Sequence, residues 1–254
     1  MFIKYVLRYK DTKPGLYGTT KAYYGTVEQQ GRLTLHLYMV IWIMGCPTPQ
    51  ELRERVLNPA SDFQKAMVEY LEDCHMGEFI NGTLSDIKDV IDGKAKDDHL
   101  YVPPTLTLPK SPPVLTCRHK GLRDDCNSCR SLLKWREEFD TTVDDLIFRS
   151  NKHRHNPGCM DNKHKTCKAR FPRDVFPKTS IDPETRHISM RKGEAWINTF
   201  TYTLTYLLRS NSDVTCLMSG TAIKAIIAYI TDYVTKTPLS SNVIFQAVKS
   251  VFDK

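Results

Sequence analysis

Alternating apolar and polar residues near the N-terminus predict a β-hairpin. The stretch KAYYGTVE is followed by a turn at residues 29–31 and then by RLTLHLYMVIWIMG. A period of two is typical of strands that bury one face. Gly31 suits the left-handed position of a short loop. With a three-residue loop, Glu28 is expected opposite Arg32.

This pairing determines which side chains share a face of the hairpin. Because side chains alternate along each strand, Glu28, His36 and Tyr38 are expected on one side, with Tyr24 opposite His36. A carboxylate and an imidazole on one face can hold a divalent cation that positions a phosphodiester. The alternative is a hydrogen-bonded histidine on a half-buried sheet, beside a solvated glutamate.

Helical periods follow the hairpin. In TPQELRERVL, Thr48 and Glu51 have the capping-box spacing of a helix N-terminus, and ASDFQKAMVEYLEDCHMGEFI continues with helical apolar spacing. A further helix is predicted near the C-terminus from the apolar positions Ile223, Ile226, Ile227, Ile230 and Val234.

These patterns divide the chain into four segments. Residues 1–92 hold the hairpin and the first helices, and residues 93–116 contain five prolines without a helical period, which predicts a linker or surface strap. Residues 117–178 are rich in Cys, His and basic residues, and residues 179–254 carry the C-terminal helix. The sequence therefore predicts an α/β fold of the α+β type, in which helices pack on an antiparallel sheet interrupted by a Cys/His-rich insertion.

The composition is that of an ordinary globular protein. The chain has 254 residues, of which 41% are hydrophobic and 26% charged. No apolar run reaches the length of a membrane span, and the N-terminus lacks a secretory cleavage site, so an intracellular protein is expected. In that setting the eight cysteines are expected to be thiols or metal ligands rather than disulfides.

The net charge of +7 is concentrated in one segment. Residues 149–178 contain nine Lys/Arg and two Asp/Glu, whereas residues 48–102 contain six basic and twelve acidic residues. Clustered positive charge is typical of a protein that binds a nucleic-acid backbone, although a solvated basic loop has the same composition.

A pair of tyrosines lies in the predicted C-terminal helix. Tyr229 and Tyr233 are four residues apart and therefore adjacent on one helix face, with Lys236 one turn further on. A tyrosine hydroxyl can attack phosphorus and hold a DNA end as a phosphotyrosine, while Lys236 neutralises phosphate charge. The alternative is that both tyrosines seal the edge of a core.

The Cys/His-rich segment predicts a structural zinc site. Cys126 and Cys129 form a CxxC, with Cys117 and His119 before it and further Cys and His residues after it. The preferred ligand set is Cys126, Cys129, Cys159 and Cys167, with His153 or His155 as substitutes. The alternative is that these cysteines are reduced and buried as small apolar residues.

The adjoining stretch KARFPR predicts contact with single-stranded DNA. Lys168, Arg170 and Arg173 can neutralise the backbone, and Phe171 among them can stack on a base. A solvated protein edge is the alternative.

Taken together, these motifs resemble the Rep, or helicase-like N-terminal, domain of Helitron transposons, especially fungal ones. The matching stretches are AYYGTVEQQGRLTLHLYMVIWIMG, CKARFPRDVF, GEAWINTFTYTLTYLLRSNSDVTCLMSG and AYITDYVTK, which extend through most of the chain after Gly18. Several motifs coincide in order, so the match is more specific than any one of them.

The resemblance implies an HUH endonuclease of the two-tyrosine type. In that family two histidines separated by one hydrophobic residue bind Mg²⁺ or Mn²⁺ together with a third polar ligand. His36 and Leu37 match the first histidine and the spacer, Glu28 matches the third ligand, and Tyr229 and Tyr233 match the nicking tyrosines. The resemblance also implies the HUH fold, rolling-circle transposition, single-stranded DNA as partner and a nuclear location.

Tyr38 departs from the family pattern because it stands where the second histidine is expected. A phenol with a pKa of about 10 is a poor ligand for Mg²⁺ or Mn²⁺ at neutral pH, so we expect loose metal binding and slow or absent nicking. The family joins this domain to a helicase, and the chain contains no ATPase motif, which together with Tyr38 indicates a degenerate or truncated copy. The alternatives are a non-catalytic, single-stranded DNA-binding fragment of a transposon protein and a relic without a role.

Overall fold

Helices and short antiparallel sheets occur together, so the mixed α+β class expected from the sequence is confirmed. The computed structural model describes residues 1–29, 35–55, 62–185, 187–218, 223–225 and 227–228. The chain forms two compact units, one comprising Met1–Glu54 and Leu217–Lys254, the other Arg55–Cys216. The segment boundaries predicted at residues 92, 116 and 178 do not coincide with this division.

The first unit contains a long antiparallel hairpin. Strand β1 (Thr20–Gln29) pairs with strand β2 (Leu35–Ile43) over nearly the whole length of both. A π-helical turn at Phe2–Val6 precedes the hairpin, and Leu7, which follows this turn, is buried. The Thr20 hydroxyl donates to the Leu7 carbonyl at 2.9 Å and so joins this turn to the start of β1.

The register of the hairpin differs from the predicted one. Glu28 lies opposite His36, and Tyr24 lies opposite Val40. The predicted pairs of Glu28 with Arg32 and of Tyr24 with His36 are therefore wrong, because each β1 residue pairs four positions further along the chain than expected. The shift is an even number of residues, and a period of two then leaves every side chain on its predicted face.

Helix α1 (Pro49–Arg55) begins as its sequence predicts. The backbone N–H of Thr48 donates to the Glu51 carboxylate at 2.7 Å, and the N–H of Glu51 donates to the Thr48 hydroxyl at 3.2 Å. This reciprocal pair satisfies two backbone donors that the first turn of a helix leaves without partners.

Apart from the short helical stretches at residues 223–225 and 227–228, the other helices of the described residues lie in the second unit. They are α2 (Asp62–Cys74), α3 (Leu84–Asp97), α4 (Asn127–Leu146), α5 (Pro157–Met160) and α6 (Tyr202–Leu208), with a 3₁₀ turn at Pro104–Leu106 and a π-helical turn at Ile147–Asn151 directly after α4. Strands β3 (Ser180–Ile181) and β4 (Ile188–Ser189) form a second, short antiparallel pair. None of the helices in the described residues is long and apolar enough to cross a membrane.

Two predicted element boundaries are wrong. Helical spacing was expected to continue to Ile80, but α2 ends at Cys74, and Met76 instead forms a β-bridge with Phe200. At the other boundary α3 extends to Asp97, beyond the predicted start of the proline-rich segment. Helix α2 ends where the chain begins to pair with a distant segment. The local apolar period carries no information about such a pairing.

The core of the second unit lies between α3, α4, the π-helical turn and α6. Its buried members are Phe79, Ile87, Ile91, Val143, Ile147, Phe148, Ile197, Phe200 and Tyr206. Asp144 on α4 is also buried, and its carboxylate accepts from the backbone N–H groups of Ile80 and Asn81 at 2.7 and 2.9 Å. The buried charge therefore fixes the segment that leads into α3.

The proline-rich segment lies along this core. The carbonyl of Lys110 accepts from the Tyr206 hydroxyl at 3.0 Å and from the Trp135 indole at 3.2 Å. Nearer its start, the Tyr101 hydroxyl donates to the buried carboxylate of Asp145. This proline-rich segment, called the strap below, thus passes over α4 and α6. It ends directly before the first Cys/His residues.

Candidate metal sites

The carboxylate and imidazole predicted on the hairpin are direct cross-strand neighbours. Glu28 on β1 lies opposite His36 on β2, and both are half-buried. The Oε2 atom of Glu28 is buried without a hydrogen-bond partner in the described residues. The rings of His36 and Tyr38 lie side by side, with centroids 6.4 Å apart and planes tilted by 26°. This face therefore presents one carboxylate, one imidazole and one phenol together.

The two faces of the hairpin differ in solvent exposure, and the more apolar face is the more exposed one. Val27, Leu35 and Leu37 are 61%, 74% and 51% exposed. The side carrying Glu28 and His36 is the better shielded of the two. A shielded carboxylate oxygen favours binding of a cation, since burial of an unpaired acceptor is otherwise costly.

The predicted nucleophiles and their neighbour lie outside the described residues. These are Tyr229, Tyr233 and Lys236. Of the predicted C-terminal helix, residues 223–225 and 227–228 are described and are helical.

A first Cys/His cluster lies where the strap meets α4. Its members are Cys117, His119, Cys126 and Cys129, whose ligand atoms all lie within 4.8 Å of one another. The sulfurs of Cys117 and Cys129 are 3.4 Å apart, and the Cys129 sulfur is 3.6 Å from Nδ1 of His119. Four ligand atoms so close together are positioned to hold one metal ion.

The start of α4 explains how this cluster forms. Cys126 is the residue that precedes the helix, and Cys129 follows within its first turn, fully buried. The backbone N–H of Cys129 lowers the pKa of the Cys126 thiol. A helix N-terminus also favours negative charge, so both features favour the thiolate, which is the form that binds metal.

A second Cys/His cluster lies in the loops after α4. Its members are His153, His155, Cys159 and Cys167, again with all ligand atoms within 4.8 Å of one another. Nε2 of His153 is 3.3 Å from Nδ1 of His155 and 3.3 Å from the Cys167 sulfur, and the His155 nitrogen is 3.3 Å from the Cys159 sulfur. This group is also positioned to hold a metal ion.

Neighbouring contacts hold the ligands of the second cluster in place. The His153 ring stacks on Phe171, with centroids 4.4 Å apart and planes tilted by 7°, and its backbone N–H donates to the Trp196 carbonyl at 2.7 Å. Burial and the charges of His155 and Arg173 lower the pKa of His153. The neutral imidazole required of a metal ligand is therefore favoured.

The structure regroups the cysteines that the sequence predicted as one site. Cys126 and Cys129 belong to the first cluster, whereas Cys159 and Cys167 belong to the second. Each pair is completed by residues nearer in sequence: Cys117 and His119 for the first cluster, and His153 and His155 for the second. The first cluster has a sequence signal of its own, the spacing C-x-H-x₆-C-x₂-C. This spacing supplies four ligands from a single loop and helix turn.

The residues predicted to contact DNA do not form one uniform surface. Lys168 and Arg170 are exposed beside the second cluster, while Arg173 is half-buried with its guanidinium 4.6 Å from the centre of the Phe171 ring. Phe171 itself is 7% exposed and packed on His153. Its ring is therefore part of the protein interior, and the structure does not present it for stacking on a base.

Comparison of this chain with protein-family models, with curated proteins and with solved structures finds no match. Its function must therefore be inferred from its residues and their geometry.

Proposed function

We propose that this chain is a Helitron-like, HUH-type domain that initiates rolling-circle transposition by nicking and rejoining single-stranded DNA, and that Tyr38 makes it a slow enzyme. The observation that carries the proposal is the cross-strand pair of Glu28 and His36, in which the buried Oε2 of Glu28 lacks a hydrogen-bond partner among the described residues. A hydrogen-bonded histidine beside a solvated glutamate would not bury that oxygen.

The donor set fits Mg²⁺ or Mn²⁺, with fewer protein ligands than the family pattern supplies. Glu28 and His36 would hold the ion, and a bound divalent ion supplies charge stabilisation at a scissile phosphate. A phenol such as that of Tyr38 is a poor third ligand for these ions. Loose ion binding and loose positioning of the phosphodiester follow.

The proposed nucleophiles are Tyr229 and Tyr233. The phenolic oxygen forms a bond to phosphorus, the bond from phosphorus to the 3′ oxygen breaks, and the phenolic proton passes through solvent to the departing 3′ hydroxyl. Attack by a free 3′ hydroxyl on the phosphotyrosine reverses these steps and rejoins the strands. Lys236 is proposed to neutralise phosphate charge.

The division of the chain into units supports this arrangement. One unit comprises Met1–Glu54, which carries the hairpin, together with Leu217–Lys254, the range to which both tyrosines belong. The intervening Arg55–Cys216 forms its own unit, which is larger than the insertion predicted at residues 117–178. The single-stranded DNA partner and a nuclear location are parts of the same proposal.

We also propose that Zn²⁺ is the metal of the Cys/His-rich region and that its role is structural. Thiolate and imidazole are the ligands that Zn²⁺ prefers. Four protein ligands in each cluster leave no coordination position open for a substrate.

Formation of a covalent adduct tests the proposed activity. The protein and its Tyr38→His variant are incubated with an end-labelled pool of random single-stranded oligonucleotides and Mn²⁺, and adducts that resist denaturation are counted. We expect an adduct that is lost when Tyr229→Phe and Tyr233→Phe are combined. Tyr5→Phe, which changes a tyrosine that is 66% exposed, is the matched control and should keep the adduct.

The second candidate function is single-stranded DNA binding without chemistry. Lys168 and Arg170, exposed beside the second cluster, favour it. It predicts salt-dependent binding that survives the double tyrosine substitution, with no adduct even when Tyr38→His restores the histidine. That outcome would exclude the nuclease.

A further inference from the structure

We propose that the chain holds two zinc ions rather than one, the first in a Cys₃His site at the start of α4 and the second in a Cys₂His₂ site in the loops after it. The inference goes beyond the single zinc site predicted from the sequence. It also does not depend on strand nicking.

Five ligand separations in the two clusters lie close to the edges of a zinc tetrahedron. Zn–S bonds of about 2.3 Å and Zn–N bonds of about 2.0–2.1 Å at tetrahedral angles place two sulfurs about 3.8 Å apart, a sulfur and a nitrogen about 3.5 Å apart, and two nitrogens about 3.4 Å apart. In the first cluster the sulfurs of Cys117 and Cys129 are separated by 3.4 Å, and the Cys129 sulfur and His119 nitrogen by 3.6 Å. In the second cluster the two histidine nitrogens, the His155–Cys159 pair and the His153–Cys167 pair are each separated by 3.3 Å.

Neither a disulfide nor a network of thiol hydrogen bonds accounts for the geometry of these clusters. A disulfide needs sulfurs about 2.05 Å apart, whereas Cys117 and Cys129 are 3.4 Å apart and none of the eight cysteines forms a disulfide. A network of thiol hydrogen bonds needs one donor and one acceptor in each contact, and a thiol is a weak hydrogen-bond donor. Such a network gives no reason for four ligand atoms to converge on a single point, twice in one unit.

The first ion would join the strap to α4. Cys117 and His119 lie at the end of the strap, and Cys126 and Cys129 lie at the start of the helix. The backbone N–H of Thr116 also donates to the Ser128 hydroxyl at 3.0 Å, so the two segments already touch beside the cluster. The apolar core formed by α3, α4 and α6 does not include residues 111–130, which leaves this corner dependent on another source of stability.

The second ion would close the basic loop. The Cys159 carbonyl accepts from the N–H of Lys168 at 2.8 Å, and the Cys167 carbonyl accepts from the N–H of Arg170 at 2.8 Å. The backbone N–H of Asn156 donates to the Cys159 sulfur at 3.3 Å. Contacts of this kind orient ligands around a metal, and here they join the ligands directly to the two exposed basic residues.

The number of zinc ions per chain tests the proposal. Elemental analysis of the full chain, purified without chelator, should give two equivalents of zinc. Cys129→Ser and Cys167→Ser should each retain one equivalent, because each variant breaks a different site. Cys46→Ser, which changes an exposed cysteine outside both clusters, should retain two. A value nearer to one than to two in the unsubstituted chain would overturn the proposal.

X-ray absorption at the zinc edge tests the ligand sets without any substitution that endangers folding. Two sites of the proposed kinds give an average of about 2.5 sulfur and about 1.5 nitrogen ligands per zinc. A single site made of Cys126, Cys129, Cys159 and Cys167 would give about four sulfur ligands and no nitrogen. The second average would overturn the inference even if the stoichiometry were two.

Discussion

The hairpin of the first unit and the Cys/His clusters of the second unit both bring potential metal ligands together, but only the clusters supply a full set of four. Each cluster has four ligand atoms within 4.8 Å of one another, which fills a tetrahedral ion. On the hairpin, Glu28 lies opposite His36, and the phenol of Tyr38 lies beside the His36 ring. A filled site stabilises a fold, whereas a site with open positions can accept a phosphate oxygen, so the two regions are suited to different tasks.

The surroundings of the two regions follow the same division. The second unit has a continuous apolar core and a buried carboxylate, Asp144, with its acceptors satisfied. The hairpin leaves Val27, Leu35 and Leu37 largely exposed and buries an oxygen of Glu28 that has no hydrogen-bond partner in the described part of the chain. Unsatisfied buried groups in proteins often belong to functional sites, because they cost stability that only a ligand restores.

Metal removal should produce the largest difference between the regions. A strong chelator at pH 7 should lower the free energy of unfolding of the second unit by about 5 kcal/mol or more, since structural zinc contributes folding energy directly. Hydrogen exchange would then rise at the start of α4 and in the loop that contains Lys168. The amides of β1 and β2 should keep their protection.

The control is the same chelator saturated with zinc beforehand, which should leave both regions unchanged. Equal loss of protection in the hairpin and in the Cys/His loops would show that the comparison between them is mistaken.

The sequence predicted the local features of both regions and missed the pairings between distant segments. The capping pair of Thr48 and Glu51 and the face shared by Glu28, His36 and Tyr38 depend only on spacing. Spacing does not fix the hairpin register, because any even shift preserves the alternation. Likewise, the end of α2 is set by a bridge between Met76 and Phe200, more than a hundred residues away.

Removal of one buried carboxylate should have the next largest effect. Asp144→Ala removes the acceptor of the N–H groups of Ile80 and Asn81, and also that of the Asn81 side chain, which donates to the same carboxylate at 2.8 Å. We expect a loss of about 3 kcal/mol in the free energy of unfolding. Glu137→Ala, on an exposed position of the same helix, should change it by less than about 0.5 kcal/mol.

Chemical denaturation of both variants measures these values. A loss for Asp144→Ala no larger than that for Glu137→Ala would mean that the core of the second unit does not depend on this carboxylate, and the contrast with the hairpin would lose one of its supports.

A pH-dependent term in the stability of the second unit should come from His75. Burial lowers the pKa of His75 from 6.5 to about 4, and its Nε2 accepts from the N–H of Cys216 at 2.7 Å. The unfolded chain therefore binds a proton that the folded chain does not bind as the pH falls from about 6.5 to about 4. Stability is full above this window and should decrease through it by about 1 kcal/mol per pH unit.

The matched variant is His75→Gln, which keeps an acceptor for Cys216 and cannot titrate. Denaturation of both proteins between pH 7 and pH 4 isolates the effect of His75, because contributions from the Cys/His clusters are common to both and cancel in the difference. Parallel curves for the two proteins would refute the prediction.

The candidate sites show the same limits of sequence reasoning. The CxxC of Cys126 and Cys129 identified a zinc-binding region, but the grouping of its ligands was wrong, because which cysteines meet is decided by the start of α4 and by the loops after it. Phe171 has the composition expected of a base-stacking residue, yet its stacking partner is His153. Residue type shows what chemistry is available, whereas burial shows whether it is available to a ligand.

The smallest predicted change concerns the hairpin itself. Tyr38→His places a second imidazole two residues from His36, on the face where Glu28 carries its unpaired oxygen. Because imidazole is a good ligand for Mn²⁺, the variant should form the DNA adduct at least tenfold faster, a gain of about 1.4 kcal/mol in transition-state stabilisation. The gain should require Mn²⁺ and should disappear in a His36→Ala background, whereas Leu37→His, on the opposite and exposed face, should produce none. An equal gain from Leu37→His would mean that added imidazole acts anywhere on the strand, and the hairpin would then have no metal site for Tyr38 to impair.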